Sequence, residues 1–347
     1  MEWLINVIIP VYNPIHFERV VNSLNAQTDK EHFEVIFVND CGTEDFIELL
    51  KDASFKYLVM TTPQNMGQGL ARQYALDRCT GTWVTFLDHD DMLTPVAIEC
   101  AYNKINETGC DFVFSTQSLV CNDDNWIMTK AYLIEDSHCV LHGKFYNVEK
   151  LRHYNIRFTD QIRNHEDTYF LARVRYTLVY DADNLNDNSI VWDEQITYIW
   201  FLWADSQTHN CVGLNTFISD HFHEYIWAIY YGHEHVARNY PPNSKVMHSC
   251  YFTALFLLYY FVQYFKYWNV GESNDKYIER VNWYLNRVIE DTGIDFENIV
   301  KTLMGMPDQY HEMYVNIQQN LLQHFIPCQT IEDFMNEVYN YSGRGIK

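Results

Sequence analysis

The chain is short of positive charge, of paired cysteines and of long apolar runs, and each shortage closes off a class of protein. Against 46 acidic residues stand 24 Lys and Arg, a formal net charge of -22, so no broad basic face is at hand to neutralise nucleic-acid phosphates. The nine cysteines stand singly from Cys41 to Cys328, without a CxxC pair. That fits neither a disulfide framework nor a zinc ribbon, and they read as reduced thiols of a cytosolic protein. No basic residues precede the apolar part of MEWLINVIIPVYNP, which is too short for a signal sequence; it reads as a first strand and implies no export. The longest apolar stretch, Tyr251–Phe265, falls short of the roughly 20 residues of a spanning helix. A cytoplasmic location is expected, with contact at a membrane surface as the alternative.

What is present is core material: 48% of the 347 residues are hydrophobic and 16% aromatic. That is enough for one catalytic domain and a smaller companion. Strand-like runs at 5–11, 34–38, 57–60, 83–87 and 111–115 alternate with helical patterns at 17–26, 45–51, 68–78 and 94–106. The alternation predicts an α/β fold, a mostly parallel sheet with helices on both faces. Ligands of such sheets bind beyond the carboxyl ends of the strands, so the loops after Val11, Val38 and Leu87 should face one site. From Ile226 the apolar period becomes helical. The expected domains are therefore 1–225, catalytic, and 226–347, helical, for acceptor binding or oligomerisation.

The strongest chemical signal is Phe86-Leu-Asp-His-Asp-Asp-Met-Leu-Thr-Pro95, in which strand residues run into three carboxylates. Crowded carboxylates repel unless a cation lies between them, and Mg²⁺ or Mn²⁺ is commonly shared between protein carboxylates and substrate phosphates. The competing account is an acidic turn with Asp91 or Thr94 as helix N-cap. Three other strand ends carry matching features. Pro10-Val-Tyr-Asn13 offers Tyr12 and Asn13 to a base, and Asp40 can accept a hydrogen bond from a pyrimidine N–H. Asn65-Met-Gly67 turns into a helix bearing Arg72, placed to reach phosphate or to orient an acidic neighbour. Each of these also has an ordinary reading as a turn or a surface residue.

Together Pro10-Val-Tyr-Asn13, Asn39-Asp-Cys-Gly-Thr-Glu-Asp45, Asn65 through Gln73 and Asp88-His-Asp-Asp91 resemble, in order and spacing, the motifs of family 2 of the GT-A glycosyltransferases. The resemblance covers residues 3–210 and departs from the usual pattern at Asn39 and Cys41, where the family commonly has Asp and Gly. It implies a nucleotide-diphospho-sugar site, with UDP weighted by the family, formed by Pro10, Tyr12, Asn13, Asp40, Asn65, Gly67, Arg72, Asp88 and His89. It also implies a Mn²⁺ or Mg²⁺ ion on Asp90 and Asp88. Asn164-His-Glu-Asp-Thr-Tyr-Phe170 is similar to the family's ED motif, which implies Asp167 as the base of an inverting transfer, with Glu166 beside it. The segment 198–210 is similar to the one that closes the donor site, which would put Ser206 on the donor and His209 on the metal. It lacks the arginine often found there.

A QxxRW motif is missing, so single-sugar transfer is expected rather than processive synthesis. The acceptor stays open among a glycan, a surface polymer, a lipid-linked sugar and a protein. One alternative is transfer to hydroxymethylated bases of viral DNA, which a basic strip of Lys144, Lys150, Arg152, Arg157 and Arg163 beside the ED motif would favour. The alternative from another class is a non-catalytic sugar-binding or scaffolding protein. The pairs His221/His223 and His233/His235 read as surface or interface histidines, consistent with a homodimer through the C-terminal helices.

Overall fold

The computed structural model describes residues 4–42, 46–122, 127–132, 141–160, 166–180 and 188–202. The chain divides into two units, Met1–Asn210 and Cys211–Lys347, and the described residues all belong to the first. The helical region expected over 226–347, with Tyr251–Phe265 and both histidine pairs, lies outside the described residues.

All seven residues of β1 (Ile5–Val11) are buried, the pattern of a parallel strand covered on both faces. It lies between β2 (Phe33–Asn39) and β4 (Trp83–Phe86), parallel to both, and β2 carries β3 (Tyr57–Thr61) in parallel on its outer side. Alternation along β1 sorts the core. Ile5, Val7, Ile9 and Val11 pack with Phe17, Val20, Leu24 and Ala97, whereas Ile8 packs with Ala71, Ala75 and Phe170. Hence α1 (Phe17–Asn25) and α3 (Ala97–Thr108) cover one face, and α2 (Gln68–Leu76) and α5 (Glu166–Tyr180) the other. In α1 the buried residues Phe17, Val20, Val21 and Leu24 recur at helical spacing. At its far end α3 stops on Gly109, whose φ of 67° lets its N–H return to the Ile105 carbonyl.

Beyond β4 the pairing changes. The sheet order is β3-β2-β1-β4-β8-β6-β9-β5. Here β8 (Lys144–Asn147) lies antiparallel between β4 and β6 (Val113–Asn122), and β9 (Ile190–Leu202) runs parallel to β6. The two-residue β5 (Met92–Leu93) joins β9 antiparallel, and β7 (Ile127–Tyr132) pairs with the far part of β6. The sheet is therefore parallel over its first four strands and mixed over the rest. The strand expected at 111–115 is the start of the ten-residue β6, and it is separated from β4 by β8. Of the helix expected at 45–51, the described residues form a short 3-10 turn, Ile47–Leu50. That expected at 94–106 begins at Ala97, because Thr94 is held by β9: its amide donates to the Thr197 carbonyl at 2.9 Å and its hydroxyl to that of Ile196 at 2.8 Å. A last short helix, α4 (Val148–His153), starts from Asn147, whose Oδ1 accepts from the amides of Glu149 and Lys150.

Candidate active site

The carboxyl ends of β2, β1 and β4 lie side by side, so the motif loops expected to converge share one edge of the sheet. Pro10 is buried within β1 against Val38, while the next loop turns outward and leaves Tyr12 46% exposed. Asn13 and Asn65 are exposed as well.

Asp40 is buried and ties this edge together. Its Oδ1 accepts from the Thr62 hydroxyl and the Met66 amide, both at 2.8 Å, and its Oδ2 from the Gly67 amide at 2.7 Å. That leaves one lone pair on Oδ2 for a ligand. Gly67 meets this carboxylate at a φ of 82°, in the region glycine alone enters easily, and opens α2. Nearby, Gly42 lies so close to the Tyr12 carbonyl that a Cβ there would come within 2.0 Å of the oxygen.

The acidic turn after β4 is a braced structure. Asp91 is 2% exposed, and its carboxylate accepts from the Tyr198 hydroxyl at 2.6 Å and the Phe201 amide at 2.9 Å. The Tyr198 oxygen in turn receives the Asp88 amide at 3.2 Å. Neither Asp91 nor Thr94 caps α3, whose N-cap is Val96 without a side-chain bond. The His142 ring stacks on Tyr198 with centroids 4.3 Å apart and interplanar angle 9°, and its Nε2 stands 4.0 Å from carboxylate oxygens of both Asp88 and Asp91. Burial drives His142 down to about 4, leaving it neutral with a free lone pair at pH 7.

The three carboxyls are shifted in different directions. Burial works against ionising Asp88, but Arg72, with smaller help from His142 and His89, holds that carboxyl below its usual range. Burial raises Asp90, as it does Asp91, which goes well up with the added repulsion of Asp90 and Asp88. A turn in which carboxyls are pushed up by mutual repulsion is one that a divalent cation relieves. Two carboxylates and a neutral imidazole, all within 4.8 Å of one another, are a suitable donor set. The structure therefore gathers Asp88 with Asp91 and His142, whereas the expected set was Asp88, Asp90 and His209. Asp90 stands outside that trio, and His209 and Ser206 lie outside the described residues. His89, expected on the donor, has its Nδ1 buried with no hydrogen-bond partner among the described residues.

Arg72 orients acidic neighbours rather than reaching outward. It is 3% exposed, and it donates to Asp88 at 2.6 Å through one terminal nitrogen and to Glu166 at 2.7 Å through the other. One guanidinium thus spans the acidic turn and the first turn of α5, and the opposing charges bind its proton more firmly than usual. The approach of α2 to α5 needs Gly69, where a Cβ would lie 2.6 Å from Glu166 Cγ. Next to Glu166, Asp167 accepts from its neighbour's amide, that of Thr168, at 2.7 Å. Burial and then the Glu166 charge push its carboxyl up to about 7, which suits a group that takes and returns protons near neutrality.

The candidate basic strip does not assemble. Lys150 pairs with Asp111 at 3.2 Å, Arg157 pairs with Asp77 at 2.8 Å, and Arg152 donates to the Cys79 carbonyl at 3.1 Å. Lys144 is buried, and Arg163 lies outside the described residues.

Motif reading gave no metal role to Asp91, although it closes the acidic motif, and no site role to His142 or to the Tyr198 hydroxyl. Asp91 had a local explanation as a cap. His142 lies before β8, where no short pattern announces a role, and Tyr198, although it opens the segment likened to the one that closes the donor site, was given no part in the acidic turn.

Residues 6–172 match the family model described as Glycosyl transferase family 2. Bacillus subtilis TuaG, whose name places it in teichuronic acid biosynthesis as a glycosyltransferase, is 34% identical over 124 residues, covering 35% of this chain and 49% of that protein. The glycosyltransferase GlyA of Streptococcus pneumoniae is 34% identical over 110 residues, 31% of this chain and 16% of that one. The match thus spans about half the length of the Bacillus relative and less of the streptococcal one. The crystal structure of S. aureus TarS 1-349 in complex with UDP superposes with a TM-score of 0.65 at 18% identity, covering 98% of this chain and 91% of that. The corresponding complex with UDP-GlcNAc gives 0.66, again at 18%, over 99% and 92%. With the four motifs set on this sheet in the family's order, residues 6–172 form a glycosyl transferase family 2 domain, and the chain has a GT-A fold.

Proposed function

We propose that the chain is a metal-dependent inverting transferase that moves one sugar from a nucleotide-diphospho-sugar, in the first place a UDP-sugar, to a hydroxyl of a glycan or surface polymer. The observation that carries this reading is the buried Arg72, which grips Asp88 of the acidic turn with one nitrogen and Glu166, next to Asp167, with the other. It keeps a leaving-group site and a base at a set separation. The UDP and UDP-GlcNAc complexes of TarS favour the donor class, and the name of TuaG favours a polymer acceptor.

In this reading Tyr12 stacks on the base, the remaining lone pair of Asp40 meets its N–H, and Asn13, Asn65 and Gly67 line the same edge. Asp88, Asp91 and His142, with Asp90 beside them, would hold Mn²⁺ or Mg²⁺, which when bound neutralises the diphosphate. A sugar hydroxyl is a weak nucleophile, so Asp167 takes its proton as the new oxygen–C1 bond forms and the C1–phosphate oxygen bond breaks on the opposite face. The nucleoside diphosphate leaves and the anomeric centre inverts. Ser206 and His209 close the donor side, within a catalytic region of 1–225, and 226–347 shapes the acceptor site or a dimer.

The pairing of Lys150 and Arg157 with carboxylates, and of Arg152 with a backbone carbonyl, weighs against a DNA acceptor. The reading is tested by thermal stabilisation with UDP, with and without Mn²⁺, in the native chain and Asp90→Ala. A Mn²⁺-dependent rise that the substitution abolishes supports the donor site. No rise with UDP or any other nucleoside diphosphate sinks the reading in favour of a binding or scaffolding protein.

A further inference from the structure

Tyr146, on β8, is fully buried, yet its hydroxyl has no hydrogen-bond partner among the described residues. A phenylalanine would fill the same space without that cost, since an unmet buried donor is unfavourable. The ring packs edge-on against Phe170 at 5.4 Å and lies 6.0 Å from the Phe86 ring. Phe170 is three residues along α5 from Asp167, so the two side chains share one face of the helix. Phe86 likewise leads into Asp88. The unmet hydroxyl lies in one apolar cluster with Phe86 and Phe170, and Asp167 stands near enough that its charge adds to burial in raising the Tyr146 hydroxyl; among the described residues Asp167 accepts hydrogen bonds from Thr168 alone.

We propose that Tyr146 is a positioning residue, whose hydroxyl donates to the Asp167 carboxylate once that group has lost its proton. The donor would aim the ionised base and hold it against the apolar wall formed by Phe86 and Phe170. The charged groups that face Asp167 are Glu166 on its own helix, Arg72 from α2 and Asp88 from the turn after β4. Of these, Arg72 spends both terminal nitrogens on the other two and keeps only its Nε unbound, so the Tyr146 hydroxyl is the uncharged donor left to answer the new charge. The inference deepens the reading of Asp167 as base. Its test uses no turnover, so the two fail separately: an active Asp167→Asn enzyme would end the reading, and the measurements below bear on the contact alone.

The thermal midpoints of the full chain, Tyr146→Phe, Asp167→Asn and the double variant are compared at about pH 5.5 and about pH 8.5, either side of the Asp167 value of about 7. Tyr146→Phe should lower the midpoint at the higher pH by about 2–5 °C and leave it level or raised at the lower one. In the Asp167→Asn background that pH difference should vanish. Carboxyl NMR, with the Asp167 signal identified by its loss in Asp167→Asn, should place the Asp167 pKa of Tyr146→Phe about one unit above the native value. Equal effects of Tyr146→Phe at both pH values, persistence of the pH difference without Asp167, or an unmoved Asp167 pKa overturns the proposal.

Discussion

The two halves of the sheet contribute to the site in different ways. The parallel half, β3-β2-β1-β4, presents groups at strand ends that point outward, such as the exposed Tyr12 and Asn13. The mixed half, β8-β6-β9-β5, supplies groups already committed inside the protein: Tyr198 and the Phe201 amide bracing Asp91, and His142 stacked on Tyr198. The halves meet at the turn after β4. One half is open to ligands, and the other holds the acidic turn in shape and sets its charge. Substitutions that separate these two jobs test the contrast.

The largest effect should come from Asp167→Asn. If Asp167 is the base, turnover should fall by about 10²–10⁴-fold, while the stabilisation by UDP with Mn²⁺ is retained, because none of the groups assigned to that ligand lies on α5. Loss of nucleotide binding together with turnover would mean that the first turn of α5 is also part of the donor site.

Next in size is the bridge from the turn where the halves meet to α5. Arg72→Met leaves the buried Glu166 and the partly buried Asp88 without their cation, for which a loss of about 3 kcal/mol, at the lower end for a broken buried pair, is expected. Denaturant unfolding at neutral pH measures it, and a loss under about 1 kcal/mol would show that water reaches both carboxylates and that the bridge is unimportant. Arg72→Lys keeps the charge but cannot span two partners with a planar fork, so it should recover only part.

These effects mark where sequence reading succeeds. The strand-end motifs were legible because β1 to β4 pair through short βα units whose glycines, asparagines and carboxylates lie within a few residues of each strand end. That Arg72 serves acidic neighbours was also foreseeable, as one of two readings. The mixed half was opaque, since the Tyr198–Asp91 bond joins residues 107 apart, and so was the choice of Glu166 as a partner of Arg72, 94 residues away. No local pattern signals such pairings. Asp91 looked like a helix cap because Asp before a helix usually is one, and the start of α3 moved to Ala97 only because β9 holds Thr94.

A third test uses pH. The folded-state pKa of Asp167, about 7, lies above its ordinary value of 3.8, so between the two the folded chain holds a proton that the unfolded chain has released. Stability must therefore fall as pH rises through that window and level off above it. The loss amounts to at most about 4 kcal/mol, because each unit is worth 1.36 kcal/mol and water admitted to the site reduces it. In Asp167→Asn this part of the slope should disappear, giving a variant more stable than the native chain at pH 8 yet poor in turnover. An unchanged slope would place the ionisation of Asp167 near that of an ordinary carboxylate and remove the argument for it as a base at neutral pH.

The smallest effect belongs to the open half. Cys41 takes a φ of 56°, in the left-handed region that costs a residue with a Cβ about 1–2 kcal/mol. Against this, its thiol donates to the Thr62 carbonyl at 3.0 Å, a weak bond, and glycine adds freedom to the unfolded chain worth about 0.5–1 kcal/mol. Cys41→Gly restores the residue the family commonly has here, and the balance of these terms predicts a gain between zero and about 1 kcal/mol. Since Asp40 precedes it and holds the Gly67 turn, UDP binding should be unaffected or slightly tighter. A fall in thermal midpoint would mean that the sulfur's contact with Thr62 outweighs the strain, so that this strand end too, despite its exposure, is fixed by an internal bond.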